Sequence, residues 1–127
     1  MNEQYSLPLS TTKALHLVNT SSVLMALASH IGADKGIHAR DLARQIVGLE
    51  GGMAAERRLR HVITELRLEG HHICGTPEAG YYLAADADEL NHTCDFLYDR
   101  AMASLKQISS MKRVALPDLR GQLHLPT

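Results

Sequence analysis

Arg58-Leu59-Arg60-His61-Val62-Ile63-Thr64-Glu65-Leu66-Arg67-Leu68-Glu69-Gly70-His71-His72-Ile73, followed by Gly80-Tyr81-Tyr82-Leu83, is the stretch on which the fold turns. Leu59, Val62, Ile63 and Leu66 recur at helical spacing, and Gly70 stops the pattern. The spacing predicts a helix over Ala54 to Glu69 with that stripe turned inward. His72-Ile73-Cys74 and Tyr81-Tyr82-Leu83 are short runs of strand formers. Gly75-Thr76-Pro77-Glu78-Ala79-Gly80 between them is rich in turn formers, so the two runs predict a hairpin.

Working upstream, Ala39, Leu42, Ala43 and Ile46 repeat the helical spacing and predict a helix over Ala39 to Val47. Asp41 in its first turn suits the helix dipole. Gly48-Leu49-Glu50-Gly51-Gly52 breaks it. Before that, Leu24, Leu27, Ala28 and Ile31 predict a helix over Ser21 to Ile31, capped by Ser21 or Ser22 and ended by Gly32. Ile37 has room for a residue or two of strand. Residues 1–20 read as an N-terminal arm, with at most a short helical turn over Thr11 to Val18.

Downstream, Asp86 and Glu89 form a capping box that opens a helix over Ala87 to Lys112. Pro117, Gly121 and Pro126 make the remainder an irregular tail. The organisation expected is an arm (1–20), a helix and hairpin domain (21–85), a long C-terminal helix (86–113) and a tail (114–127). The fold class is mainly α with a small β-hairpin.

The 127 residues suffice for one domain with a modest core. No apolar run approaches membrane-spanning length, and Met1-Asn2-Glu3-Gln4-Tyr5 lacks the basic lead of a secretory signal. Two cysteines, Cys74 and Cys94, are too few for a disulfide scaffold, so thiols in a cytoplasmic protein are expected. The net charge of -1 supplies no basic field. Residues 37 to 85 carry six arginines and six acids, so any nucleic-acid contact must rest on local placement.

The order helix, short strand, helix, turn, helix, hairpin describes a winged helix-turn-helix. The quoted stretch resembles the winged helix-turn-helix family that includes the DNA-binding domain of the biotin operon repressor and small bacterial and phage regulators. A helix ends in Leu66-Arg67 and Gly70, a strand starts at Ile73, and Gly80-Tyr81-Tyr82-Leu83 closes the wing. With Ala39-Arg40-Asp41-Leu42-Ala43 the resemblance covers about a third of the chain, and its motifs specify fold better than function. It implies a third helix that enters the major groove of duplex DNA and a role in transcription or replication-region regulation. Two departures stand out. The stretch from Gly48 to Met53 is longer than the family's turn, and Ala54 or Ala55 stands where a capping serine or threonine belongs. Loss of such a cap costs about 1 kcal/mol and removes a hydroxyl that can hold phosphate.

At about 100° per residue, Arg57, Arg60, His61 and Thr64 share one face of the third helix, almost opposite its apolar stripe. An arginine fork there can reach guanine O6 and N7, and His61 and Thr64 can meet base edges. Arg40, Arg44 and Arg58 are placed to hold phosphates. The wing tip, Thr76 and Glu78, offers an acid and no base, a poor fit to a minor groove. The same face could equally be a solvated surface, and Glu56 and Glu65 flank it. The competing reading is a protein-interaction module, an adaptor or inhibitor that keeps the fold without binding DNA.

In the last helix Leu90, Cys94, Leu97, Ala101, Ser104, Ile108 and Met111 follow a heptad-like spacing, with Leu105 on the same side. So long a seam calls for a partner, and a second copy is the commonest one. A homodimer joined there would present two recognition helices to two half-sites, with Leu116, Leu119, Leu123 and Leu125 of the tail docking across it. His72 with Cys74 and His92 with Cys94 invite zinc, but members of an i, i+2 pair on a helix diverge by about 160°. No metal or cofactor is expected. Neither a nucleophile nor a carboxylate pair has a recognisable signature, so no enzyme is expected. Cys74 and Cys94 read as small buried apolar groups.

Overall fold

Helix α4 (Gly52–Leu68) carries the stripe that organises the core. Ala55, Leu59, Val62, Ile63 and Leu66 are buried along one side of it. Full burial of each large aliphatic side chain stabilises by about 1.5–3 kcal/mol, so this single stripe outweighs any local propensity. The helix closes on the backbone pattern that its sequence announces. The His71 N–H donates to the Leu66 carbonyl and the Gly70 N–H to the Arg67 carbonyl, both at 3.0 Å.

The computed structural model describes residues 9–113. They lie in two compact units, Met1–Leu90 and Asn91–Thr127. In the first unit α1 (Leu9–Leu17), α2 (Thr20–Leu27) and α3 (Ala39–Val47) precede α4, and an antiparallel hairpin, β1 (Ile73–Thr76) and β2 (Gly80–Leu83), follows it. Val23 and Leu27 of α2 and Leu42 and Ala43 of α3 join the α4 stripe in one core. The architecture is therefore mainly helical, with one small hairpin and a long C-terminal helix, α5 (Ala87–Lys112).

Helices α3 and α5 run over the residues expected of them, and α4 starts two residues before Ala54. The stop of α2 differs. Leu24 is half-buried, and Ala28 and Ile31, expected in the same apolar stripe, lie beyond the helix and are exposed. Tertiary pairing explains the early stop. The Leu83 N–H donates to the His30 carbonyl at 2.8 Å, and the Gly32 N–H donates to the Leu83 carbonyl at 2.9 Å, so this backbone is claimed by β2. The cap of α2 is Asn19, two residues before Ser21. Its side chain accepts from the Ser22 N–H while the Ser22 hydroxyl accepts from the Asn19 N–H.

Ile37 makes the single-residue strand anticipated for it. Its N–H donates to the Tyr81 carbonyl at 2.8 Å, and its carbonyl accepts in return from the Tyr81 N–H at 2.7 Å. Gly80 makes this approach possible. It has φ +80°, and a Cβ there would lie 2.5 Å from the Ile37 carbonyl group. Residues 9–20 do more than an arm would. Helix α1 packs on α3 and α4, with Ala14 buried and Val18 in the core. The tail leucines lie outside the described residues.

The capping box at α5 is realised with a different return bond. The Glu89 N–H donates to Asp86 Oδ1 at 2.9 Å. The Glu89 carboxylate, instead of reaching back to residue 86, accepts from the Ala85 N–H at 2.8 Å and from the Ala33 N–H at 2.9 Å. One side chain thus joins the end of the hairpin, the start of α5 and the turn at residues 33–35.

The second unit begins within α5 at Asn91. Thr93 and Leu105 are the buried residues of this helix. Leu90 is half-buried, whereas Cys94, Leu97, Ala101, Ile108 and Met111 are exposed. The expectation that both cysteines are buried holds for Cys74 and fails for Cys94.

Candidate nucleic-acid interface

Because the α4 stripe is buried to the last few square ångströms, the opposite side of that helix has to face outward. Arg57, Arg60, His61 and Thr64 occupy it, and all four are exposed. The four positions fall at i, i+3, i+4 and i+7, so they form one continuous row.

The row differs in how free each member is. Arg57 has no hydrogen-bond or ion-pair partner among the described residues. Arg60 Nη2 lies 3.6 Å from Glu56 Oε1, one turn back, and its side chain is 57 % exposed. An exposed i, i+4 pair of this length is worth no more than about 0.5 kcal/mol, so it does not fix the guanidinium. His61 is held more closely: Nε2 stands 2.8 Å from Glu65 Oε1. Donation through Nε2 leaves Nδ1 facing out as the ring's remaining polar atom. The Thr64 hydroxyl donates to the Arg60 carbonyl at 3.1 Å, which leaves its oxygen as an acceptor only.

Arg40 and Arg44 stand one turn apart on α3 and are exposed, without an ion pair among the described residues. Arg58 is placed differently. Its Nε donates to the Val18 carbonyl at 3.1 Å, so the guanidinium is tied to the end of α1. This bond gives Arg58 a structural task that its sequence position does not announce.

Arg67, unselected from the sequence, plays a comparable part at the other end of α4. Its Nε donates to the Ile73 carbonyl at 2.8 Å, and its guanidinium lies 6.0 Å from the Tyr81 ring centre. The side chain thus ties the end of α4 to both strands of the hairpin. At the hairpin turn the Ala79 N–H donates to the Thr76 hydroxyl at 2.9 Å, and Glu78 is exposed. The only charge at that turn is therefore negative.

The start of α4 has no side-chain cap and no acid in its first turn. Gly51 is buried there, where a Cβ would run into Ala55 and the Val47 side chain, so α3 and α4 approach more closely than any other residue would allow. A cleft of about 440 Å³ opens beside this contact, lined from α3, from the Gly48–Glu50 turn and from the first turns of α4.

Among the described residues, no three His, Cys, Asp or Glu side chains come together as a metal site would need. His71 and His72 are exposed at the base of the hairpin, and Tyr82 is buried. No helix is long and apolar enough to cross a membrane among the described residues. No protein family matches the chain, nor does any curated protein or solved structure.

Proposed function

We propose that the chain is a winged helix-turn-helix protein that binds specific sequences in duplex DNA, as a transcriptional or replication-region regulator of bacterial or phage type. The observation that carries this reading is the exposed row Arg57, Arg60, His61, Thr64, standing opposite a fully buried stripe on a helix braced by two others. In this mechanism α4 enters the major groove. Arg57 and Arg60 donate their forks to guanine O6 and N7, the outward Nδ1 of His61 meets a base-edge donor, and Thr64 accepts from one. Arg40 and Arg44 hold flanking phosphates, and the remaining N–H groups of Arg58 add a third contact. The exposed apolar members of α5 support a homodimer, which doubles a nearly neutral contact surface by presenting two half-sites. Such a protein acts in the cytoplasm, with its cysteines as thiols.

The competing reading, a protein-interaction module, is favoured by the acidic hairpin turn and by the ion pairs that Arg60 and His61 make with Glu56 and Glu65. Selection of duplexes from a random pool, followed by gel-shift titration at several salt concentrations, separates the two. A DNA binder gives an enriched motif and an affinity that falls steeply with salt. The double variant Arg57→Ala, Arg60→Ala then loses the specific shift while keeping its thermal melt. No enrichment, or a shift that survives that variant, overturns the assignment. The solution mass of the full chain tests the dimer.

A further inference from the structure

The cleft beside the α3–α4 contact combines two features that rarely share one surface. Arg40, Ala43, Arg44 and Val47 follow one another at i, i+3, i+4 and i+7, so a single stripe of α3 lines one wall with two cations and two apolar groups. Neither arginine has an ion-pair partner among the described residues. Glu56, the acid in the lining, stands one turn from Arg60 in a weak pair at 3.6 Å, so the two arginines of α3 outnumber it. The uncapped start of α4 adds the positive end of a 17-residue helix to the same place. At the mouth stand Leu49 and Met53, 79 % and 78 % exposed.

We propose that this cleft docks an acidic, amphipathic segment of a partner protein. Its carboxylates would pair with Arg40 and Arg44, and its large apolar side chains would cover Leu49 and Met53. Charge complementarity selects an acidic occupant. The apolar lips select a protein segment over a sugar-phosphate backbone, because a phosphate contact would leave Leu49 and Met53 wet. They also stand out into solvent and do not roof the cleft, which suits a segment laid along it and not an enclosed small molecule. Arg40 and Arg44 are shared with the phosphate contacts of the DNA reading, but Leu49 and Met53 are not, so the two ideas fail separately.

The test is selection of random helix-length peptides displayed on phage against the full chain, with Arg40→Glu, Arg44→Glu as counter-selection. Enriched peptides are then titrated by fluorescence anisotropy. They should carry acids interleaved with Leu, Phe or Met. Their affinity should fall at least about tenfold for Arg40→Glu, Arg44→Glu and for Leu49→Ser, Met53→Ser, and stay unchanged for Arg57→Ala. All these side chains are exposed, and thermal melts verify that the variants fold. The proposal is overturned by an absence of enrichment, by enriched peptides without an acidic bias, or by full affinity in Leu49→Ser, Met53→Ser. It is equally overturned if that apolar pair weakens duplex binding as strongly as peptide binding, which makes the cleft a nucleic-acid surface. Self-association lost in Arg40→Glu, Arg44→Glu would assign the cleft to a second copy and overturn it as well.

Discussion

Helix α4 buries five residues in 17, and helix α5 buries two in 26. Both have apolar residues at helical spacing, and both are long. In α4 the spacing is satisfied within the chain, by α2, α3 and the hairpin. In α5 most of the seam stays exposed, with Met111 at 77 %. The same periodic signal therefore has two physical outcomes. A stripe met by its own neighbours becomes core, and a stripe left uncovered is the feature that a second copy would explain.

The widest separation between the two helices is expected from truncating their leucines. Leu59→Ala, at a fully buried position of α4, should cost about 2–5 kcal/mol in denaturant unfolding. Leu97→Ala on α5 should cost within about 0.5 kcal/mol at concentrations where the chain is a monomer, and should weaken self-association where it is a dimer. A large loss for Leu97→Ala in a dilute monomer would break the contrast. Next in size, Gly80→Ala should cost about 2 kcal/mol or more, because the left-handed backbone and the Ile37 carbonyl both oppose a Cβ. If it is neutral, the short strand at Ile37 does not help to close the α4 core. Glu89→Ala should cost about 1–2 kcal/mol by leaving the Ala33 and Ala85 amides without their acceptor. That result would sharpen the contrast, since it makes the first turn of α5 stabilising while the seam beyond it is not. The smallest effect is expected at Arg57→Ala, Arg60→Ala, within about 0.5 kcal/mol, as exposed positions on the far side of the α4 stripe allow.

The parts of this architecture that could be read from the chain are those where local spacing and tertiary demand agree. Leu59, Val62, Ile63 and Leu66 are such a case, as are the bounds of α3 and α5 and the hairpin around Thr76 and Glu78. The end of α2 was not legible. Ile31 continues the apolar spacing, but pairing with Leu83 removes it from the helix, and no local signal encodes a partner so distant in sequence. Helix α1 was legible only as a short turn from Thr11, for a related reason: its apolar spacing is weak, and burial of Ala14 and of Val18 just beyond it supplies what propensity does not.

The candidate interface divides the same way. The outward row on α4 follows from geometry once the stripe is known. That Arg58 reaches the Val18 carbonyl, and Arg67 the Ile73 carbonyl, depends on contacts across the fold, and in the sequence both look like any other arginine. The pairs Glu56 with Arg60 and Glu65 with His61 are visible as i, i+4 spacings, and their effect is to temper the charge of the row. The cleft arises from a longer segment, Gly48 to Met53, whose glycines let two helices close together and leave Leu49 and Met53 outside.

The shared acceptor at Glu89 has a kinetic consequence. The amide protons of Ala33 and Ala85, far apart along the chain, end on the two oxygens of one carboxylate. Neither can be released by swinging that side chain away without releasing the other. Their exchange with deuterated water should accordingly proceed at matched rates, as one opening event that frees the turn at 33–35 and the root of α5 together.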